Sequence, residues 1–289
     1  MSAQDAPEIF SERTPRIVAA AKLRRAAARK KAGRFLAEGK NAVTSALEHG
    51  RVLEIFVTEA AHEHFADVIH DAAAPVSLIT SRAAEHLSET VTNTGIFALC
   101  DHQLASPKKV LERAHQGLSL VAVPVETSEP GNAGTLIRVA DACGAAGVIF
   151  AGHSVDPQGG KAVRASAGSL FHVPVARGKG VAEVIDQLHE EGFTVLATAM
   201  DGETRLDQLA DEVVEWTLGG QQGERPLLAQ PTAWLFGNEA HGLGEWLDLA
   251  DVRVSIPMHG QAESLNLSTA ASICLYESAK ALSLSLIHI

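Results

Sequence analysis

The sequence predicts an α/β protein in two parts, a small α/β domain followed by a larger one built on a mostly parallel sheet. Three observations carry this. At 289 residues the chain exceeds the roughly 100–200 residues usual for one domain. Its 46% hydrophobic and 20% charged residues are the composition of a chain with a packed core. Its later strands are continuously apolar and separated by helix-length segments, the pattern of parallel strands covered on both faces.

In chain order, PRIVAAAKLRRAAARKK at 15–31 predicts one helix, with Pro15 at its start and Gly33 just past its end. Lys22, Arg25 and Arg29 would form a stripe on it. RFLAEG, a helical NAVTSALEHG and the β-branched VLEIFVTEA then read as strand, helix, strand. The pattern repeats more weakly through PVSLIT, RAAEHL and TGIFALCD. These elements delimit a first domain at 1–105, with 106–117 as a linker. LSLVAVPVE, GVIFAG, FTVLATAM, TAWLFGNE and VRVSIP supply the strands of a second domain at 118–282, and 283–289 is an apolar tail.

A formal net charge of −11 argues against a nucleic-acid binder, but the charge is unevenly distributed. Between Arg13 and Lys40 ten Lys/Arg face a single acid, Glu38, so this stretch carries +9 and the rest −20. A basic arm on an acidic body suits an anionic partner such as RNA, or is simply a solvated helix face. Cys100, Cys143 and Cys274 lie far apart without C-x-x-C spacing and read as reduced, packed thiols. A polar start and the lack of a long apolar run predict a soluble, cytoplasmic protein.

In open parallel sheets ligands bind beyond the carboxyl ends of the strands, so the chemistry is sought in those loops. The first leads through Pro130 and Gly131 into a helix bearing Asn132 and Arg138. Helical geometry turns Arg138 away from Leu136, Ala140 and Cys143. It is free to face a ligand or to pair with Asp141, and Asn132 also suits a helix cap. No G-x-G-x-x-G dinucleotide fingerprint is present. The other loops are Thr198–Gly202, Gly237–Leu243 and Ile256–Gly260, the last leading through Ser264 and Asn266 into the closing helix.

N-x-G-x-x-x-R at 132–138, L-F-G-N-E-x-x-G-L at 235–243, I-P-M at 256–258 and S-L-N-x-S at 264–268 together resemble the SpoU (TrmH-like) branch of the SPOUT RNA methyltransferases. The leading segment is similar to the ribosomal-protein-like RNA-binding domain of ribosomal RNA ribose methyltransferases, including thiostrepton-resistance enzymes. The resemblance implies a C-terminal domain with a deep trefoil knot, a homodimer, and S-adenosylmethionine-dependent methylation of a ribose 2′-hydroxyl, in ribosomal RNA first and in transfer RNA as the alternative. A non-catalytic RNA-binding module is the other reading, and it leaves the site motifs unexplained.

Carried over residue by residue, the resemblance maps the cofactor to Thr198, Leu235, Gly237, Ile256, Met258, Ser264 and Leu265. It makes Arg138 catalytic, with Asn132, Glu239, Ser264 and Asn266 organising the site, and calls for neither metal nor membrane. Lys22, Arg25 and Arg29 would bind RNA. Arginine is a poor base, so stabilising a developing alkoxide suits it better, and His241 and His259 are alternative bases. His62, His64 and His70 read as a polar helix face rather than a metal site. Ala240 stands where the motif commonly has Gly, which would strain the loop if φ there were positive.

Overall fold

A computed structural model describes residues 8–117 and 119–286. The chain divides into two compact units. One takes the chain up to Gln103 and then Asp156–His172, and the other takes Leu104–Val155 and the chain from Val173 onward.

In the first unit α1 (Pro15–Ala21) and α2 (Ala26–Ala32) precede β1 (Arg34–Glu38), α3 (Lys40–His49), β2 (Val52–Thr58), α4 (Glu59–His64), α5 (Ala66–Ile69), β3 (Val76–Ile79), α6 (Ser81–Leu87) and β4 (Ile96–Asp101). The sheet order is β1-β4-β2-β3, antiparallel except for the β2–β3 pair. Ile17 and Ala20 of α1 and Ala83, Ala84 and Leu87 of α6 close over Phe56, Phe97 and Ile79. Thr80 starts α6 by accepting from the Ala83 amide at 3.1 Å, satisfying one of the amides a helix start leaves without an intrahelical partner.

The single helix expected over 15–31 is instead two. Lys22–Arg24 form a 3₁₀ turn, Arg25 is extended at φ −94° and ψ 130°, and α2 ends on Gly33 at φ +62°. Side-chain hydrogen bonds compete with the local helix propensity: the Arg29 guanidinium donates to the carbonyls of Leu23 and Arg24 at 2.8 and 3.0 Å. This also dissolves the expected stripe, because Lys22 and Arg25 are exposed whereas Arg29 is only 8% exposed.

The second unit opens where a linker was expected. Residues 107–114 form α7 (Pro107–Ala114), capped by Ser106, and its Val110, Leu111 and Ala114 lie in the core. The alternation of charged and apolar residues there belongs to an amphipathic helix. Then follow β5 (Leu120–Pro124), α8 (Pro130–Ala142) and β6 (Gly147–Phe150). The chain next contributes α9 (Gly160–Ser166) to the first unit before returning as β7 (Val175–Arg177), α10 (Val181–Glu190), β8 (Thr194–Thr198), β9 (Thr204–Arg205), α11 (Leu206–Leu218), β10 (Thr232–Phe236), β11 (Val252–Ser255) and α12 (Leu267–Ser285). Residues 283–285, expected in a tail, are the last turn of α12, and 287–289 lie outside the described residues.

All seven strands of this sheet are parallel, in the order β7-β6-β5-β10-β8-β11-β9. Helices α7 and α10 cover one face through Val110, Val184, Ile185 and Leu188. On the other face the buried Trp234 donates from its indole to Ser278 of α12 at 2.8 Å. From β5 the chain runs outward through β6 and β7, while β10 and β8 lie on its other side, so the order reverses between β5 and β10. That is where an open parallel sheet leaves a crevice at its carboxyl end.

Candidate active site

Side chains from three separate stretches meet at this crevice. The loop after β5 runs Glu126-Thr-Ser-Glu and enters α8 with Glu129 as its cap, accepting from the Gly131 amide, and Pro130 in its first turn. Proline is tolerated there because the amide it lacks has no partner in a helix start. The loop after β10 turns back at once, with Asn238 and Gly242 exchanging two backbone hydrogen bonds at 2.8 and 2.9 Å. Gly237 is required there, since a Cβ would lie 2.3 Å from the Gly242 carbonyl carbon. The Asn238 side chain locks this turn across the switch point, donating to the Glu126 carbonyl at 2.6 Å and accepting from the Ala240 amide at 2.8 Å.

Glu239 at the tip of that turn reaches the start of α8. Its Oε1 accepts from Asn132 Nδ2 at 3.0 Å and from the Glu129 amide at 3.3 Å, and its Oε2 accepts from Ser128 through Oγ at 3.0 Å and the amide at 3.3 Å. Asn132 Oδ1 in turn accepts from Asn266 Nδ2 at 3.1 Å and Ser268 Oγ at 3.4 Å. Asn266 caps α12, accepting from Ser268 and Thr269 amides. Three of the expected organising residues, Asn132, Glu239 and Asn266, are therefore one network.

Partial burial pushes the Glu239 carboxyl up, but the hydrogen bonds from Asn132, its own backbone and Ser128 outweigh it and hold the carboxyl below its ordinary value. With both oxygens taking hydrogen bonds, Glu239 is equipped to fix the start of α8 rather than to collect a proton.

Arg138 follows on α8, exposed and without an ion pair among the described residues. Gly131, seven residues and so two turns earlier, lies on nearly the same helix face and carries no side chain to cover it. Leu136 and Ala140 are buried, as the helical phase required.

Of the residues expected to hold a cofactor, Thr198, Leu235, Gly237, Ile256 and Met258 sit at or just past the carboxyl ends of the adjoining strands β8, β10 and β11, and Ser264 and Leu265 lie in the loop before α12. Thr198 Oγ1 donates to the Leu235 carbonyl at 3.3 Å. Leu235 offers only its backbone, since its side chain is fully buried. Ile256 and Leu265 are half-buried, Met258 is 38% exposed and Ser264 is exposed. Half-exposed apolar groups and hydroxyls near these strand ends suit a ligand with an apolar part and a polar periphery. His241 and His259 are exposed and outside the Asn132 network. Ala240 has no positive φ; Gly242, at +61°, takes that conformation, so the expected strain is absent. Ser128 was not singled out from sequence, although Ser-Glu-Pro before a helical run is a helix-start signal.

Residues 119–276 match the model of the SpoU rRNA Methylase family, and residues 14–98 match the MRM3-like substrate binding domain. The chain is 32% identical over 252 residues to the 23S rRNA (guanosine(2553)-2′-O)-methyltransferase RlmP of Bacillus subtilis, covering 86% of this chain and 89% of that protein. It is 31% identical to the 23S rRNA (uridine(2479)-2′-O)-methyltransferase of Streptomyces viridochromogenes, covering 87% and 84%. The crystal structure of the SpoU methyltransferase AviRb from Streptomyces viridochromogenes with AdoMet superposes with a TM-score of 0.77 at 28% identity, covering 93% of this chain and 98% of that one.

Proposed function

The chain belongs to the SpoU rRNA methylase family, and from that premise we propose that it methylates a ribose 2′-hydroxyl of ribosomal RNA with S-adenosylmethionine as donor. The observation that carries the reading is the network joining Ser128, Asn132, Glu239, Asn266 and Ser268 at the switch point of the parallel sheet. S-adenosylmethionine supplies an electrophilic methyl group on a sulfonium sulfur. Thr198, Gly237, Ile256, Met258, Ser264 and Leu265, with the backbone of Leu235, would hold it.

A ribose hydroxyl is a weak nucleophile, so the site must align it with the methyl carbon and stabilise the negative charge growing on its oxygen. Arg138, exposed and without an ion pair among the described residues, would do the second and grip a neighbouring phosphate. Asn132, Glu239 and Asn266 act through position, fixing the helix that carries Arg138 against the loop that leads into α12. The first unit binds the RNA through exposed Lys22 and Arg25, while Arg29 is turned inward.

The same premise gives a knotted second domain and a cytoplasmic homodimer. In support of the dimer, Leu218 at the end of α11 is 78% exposed and Tyr276 of α12 is 62% exposed, apolar surface suited to cover by a second copy.

The test incubates purified protein with methyl-labelled S-adenosylmethionine and either 23S rRNA or bulk tRNA. Label is expected in rRNA at one ribose, read as an alkali-resistant dinucleotide. Label on a base, or on tRNA alone, overturns the reading.

A further inference from the structure

Asp156 lies within the stretch that matches the methylase family, yet it packs in the first unit against the basic arm. Its Oδ2 accepts from Arg29 Nε at 2.8 Å and lies 2.7 Å from Arg29 Nη2. Its Oδ1 accepts from the Gln158 amide at 3.0 Å, which fixes the carboxylate itself. The remaining face of the guanidinium donates from Nη1 to the carbonyls of Leu23 and Arg24. The approach is close: a Cβ on Gly159 would stand 3.4 Å from Arg29 Nη2. Arg29 thus ties the break between the 3₁₀ turn and α2 to Asp156. Around that break Lys22, Arg24, Arg25, Lys30 and Lys31 are all exposed and make no ion pair among the described residues. Arg16 and Lys40, farther along the arm, are instead paired with Glu54 and Asp67.

Five exposed cations without an ion pair among the described residues flank this break, and a sixth, Arg29, is buried as its strut. We propose that Arg29 and Asp156 are positioning residues that hold this bend in the shape that grips RNA phosphates, and that Arg29 is not itself a phosphate ligand. The inference rests on the RNA-binding reading of the first unit.

The two residues make a test in which charge and position predict opposite signs. Removing an acid beside a phosphate-binding surface strengthens RNA binding if long-range charge is all that matters. Loss of the strut weakens it. Three full-length variants, Asp156→Asn, Arg29→Lys and the double change Lys22→Gln with Arg25→Gln, are titrated against a fluorescein-labelled 23S rRNA transcript across a range of salt, with S-adenosylmethionine affinity measured by calorimetry.

The double change is expected to flatten the slope of log affinity on log salt by about 1.4, two contacts at about 0.7 each. Asp156→Asn and the charge-conserving Arg29→Lys are each expected to weaken RNA binding roughly fivefold. S-adenosylmethionine binding stays unchanged in all three. Tighter or unchanged RNA binding in Asp156→Asn, with a normal response in the double variant, overturns the positioning role alone. An unchanged slope in the double variant overturns RNA binding by the bend, and the proposal with it. If Asp156→Asn loses its cooperative thermal transition, Arg29→Lys decides, because wild-type RNA affinity there overturns the proposal equally.

Discussion

Two arginines in this protein meet opposite ends. Arg138, on α8 in the second unit, is exposed and makes no ion pair among the described residues, while Asn132 at the start of the same helix is held by Glu239 and Asn266. Arg29, on α2 in the first unit, is buried to 8% exposure and bonds an aspartate and two carbonyls. Both were read from sequence as ligands of RNA or its reacting group. The supply of nearby acceptors separates them, and helix phase does not reveal it. A cation left unpaired beside a saturated polar network is available for a substrate, whereas one provided with every acceptor it needs is part of the framework.

The sharpest break in that comparison is Arg138→Ala. It is expected to lower kcat by about 100-fold or more, the scale of losing a group that stabilises transition-state charge, with S-adenosylmethionine affinity held within a few-fold. Single-turnover methylation close to the wild-type rate would remove Arg138 from the chemistry and leave it a surface cation.

Glu239→Gln is expected to act less severely and with a characteristic pH dependence. The folded-state carboxyl lies below its ordinary value, so its contribution is fully present above that value and is lost as pH falls through the lowered one. Wild-type activity should therefore show no step from this group between neutrality and the ordinary carboxylate range of about 4. Glutamine keeps one acceptor but turns a donor toward groups that are themselves donors, so kcat should drop by roughly tenfold at every pH. A wild-type profile that steps down near pH 6 would show that Glu239 exchanges a proton during turnover.

The smallest effect is expected from Ala240→Gly, which restores the residue common in the second motif. Because Ala240 lies outside the left-handed region, glycine relieves no strain and only loosens the unfolded chain. Thermal melting should show a loss of no more than about 1 kcal/mol. A gain in stability would mean that the turn is strained at 240 after all.

The parallel sheet was legible because its strands are buried on both faces and therefore read as continuous apolar runs, as in β5 and β10. The very short β7 and β9 were not singled out, since two or three residues carry no period. Asn132, Glu239 and Asn266 were found as members of ordered motifs, and the structure adds their connection and the Ser128 hydroxyl that completes it. The break at Arg25 had no signature in the helical period, because Arg29 is held there by the carbonyls of Leu23 and Arg24 and by an aspartate 127 positions away. Helix α7 was taken for a linker because Pro107 and its charges were weighed above Val110 and Leu111 one turn apart from Ala114.

The excursion of Asp156–His172 into the first unit also sets a timetable for synthesis. Phe171 stacks on Phe35 at 5.9 Å, and Val163 and Leu170 of the same segment are buried. Everything else in that unit has been synthesised once Gln103 is made, but its covering segment is complete only at His172. At about 5–20 residues per second the nascent first unit waits roughly 3–14 seconds with the side of Phe35 uncovered. A polysome paused in that interval would display an apolar patch that the finished protein hides, and chaperone binding to the nascent chain should peak there.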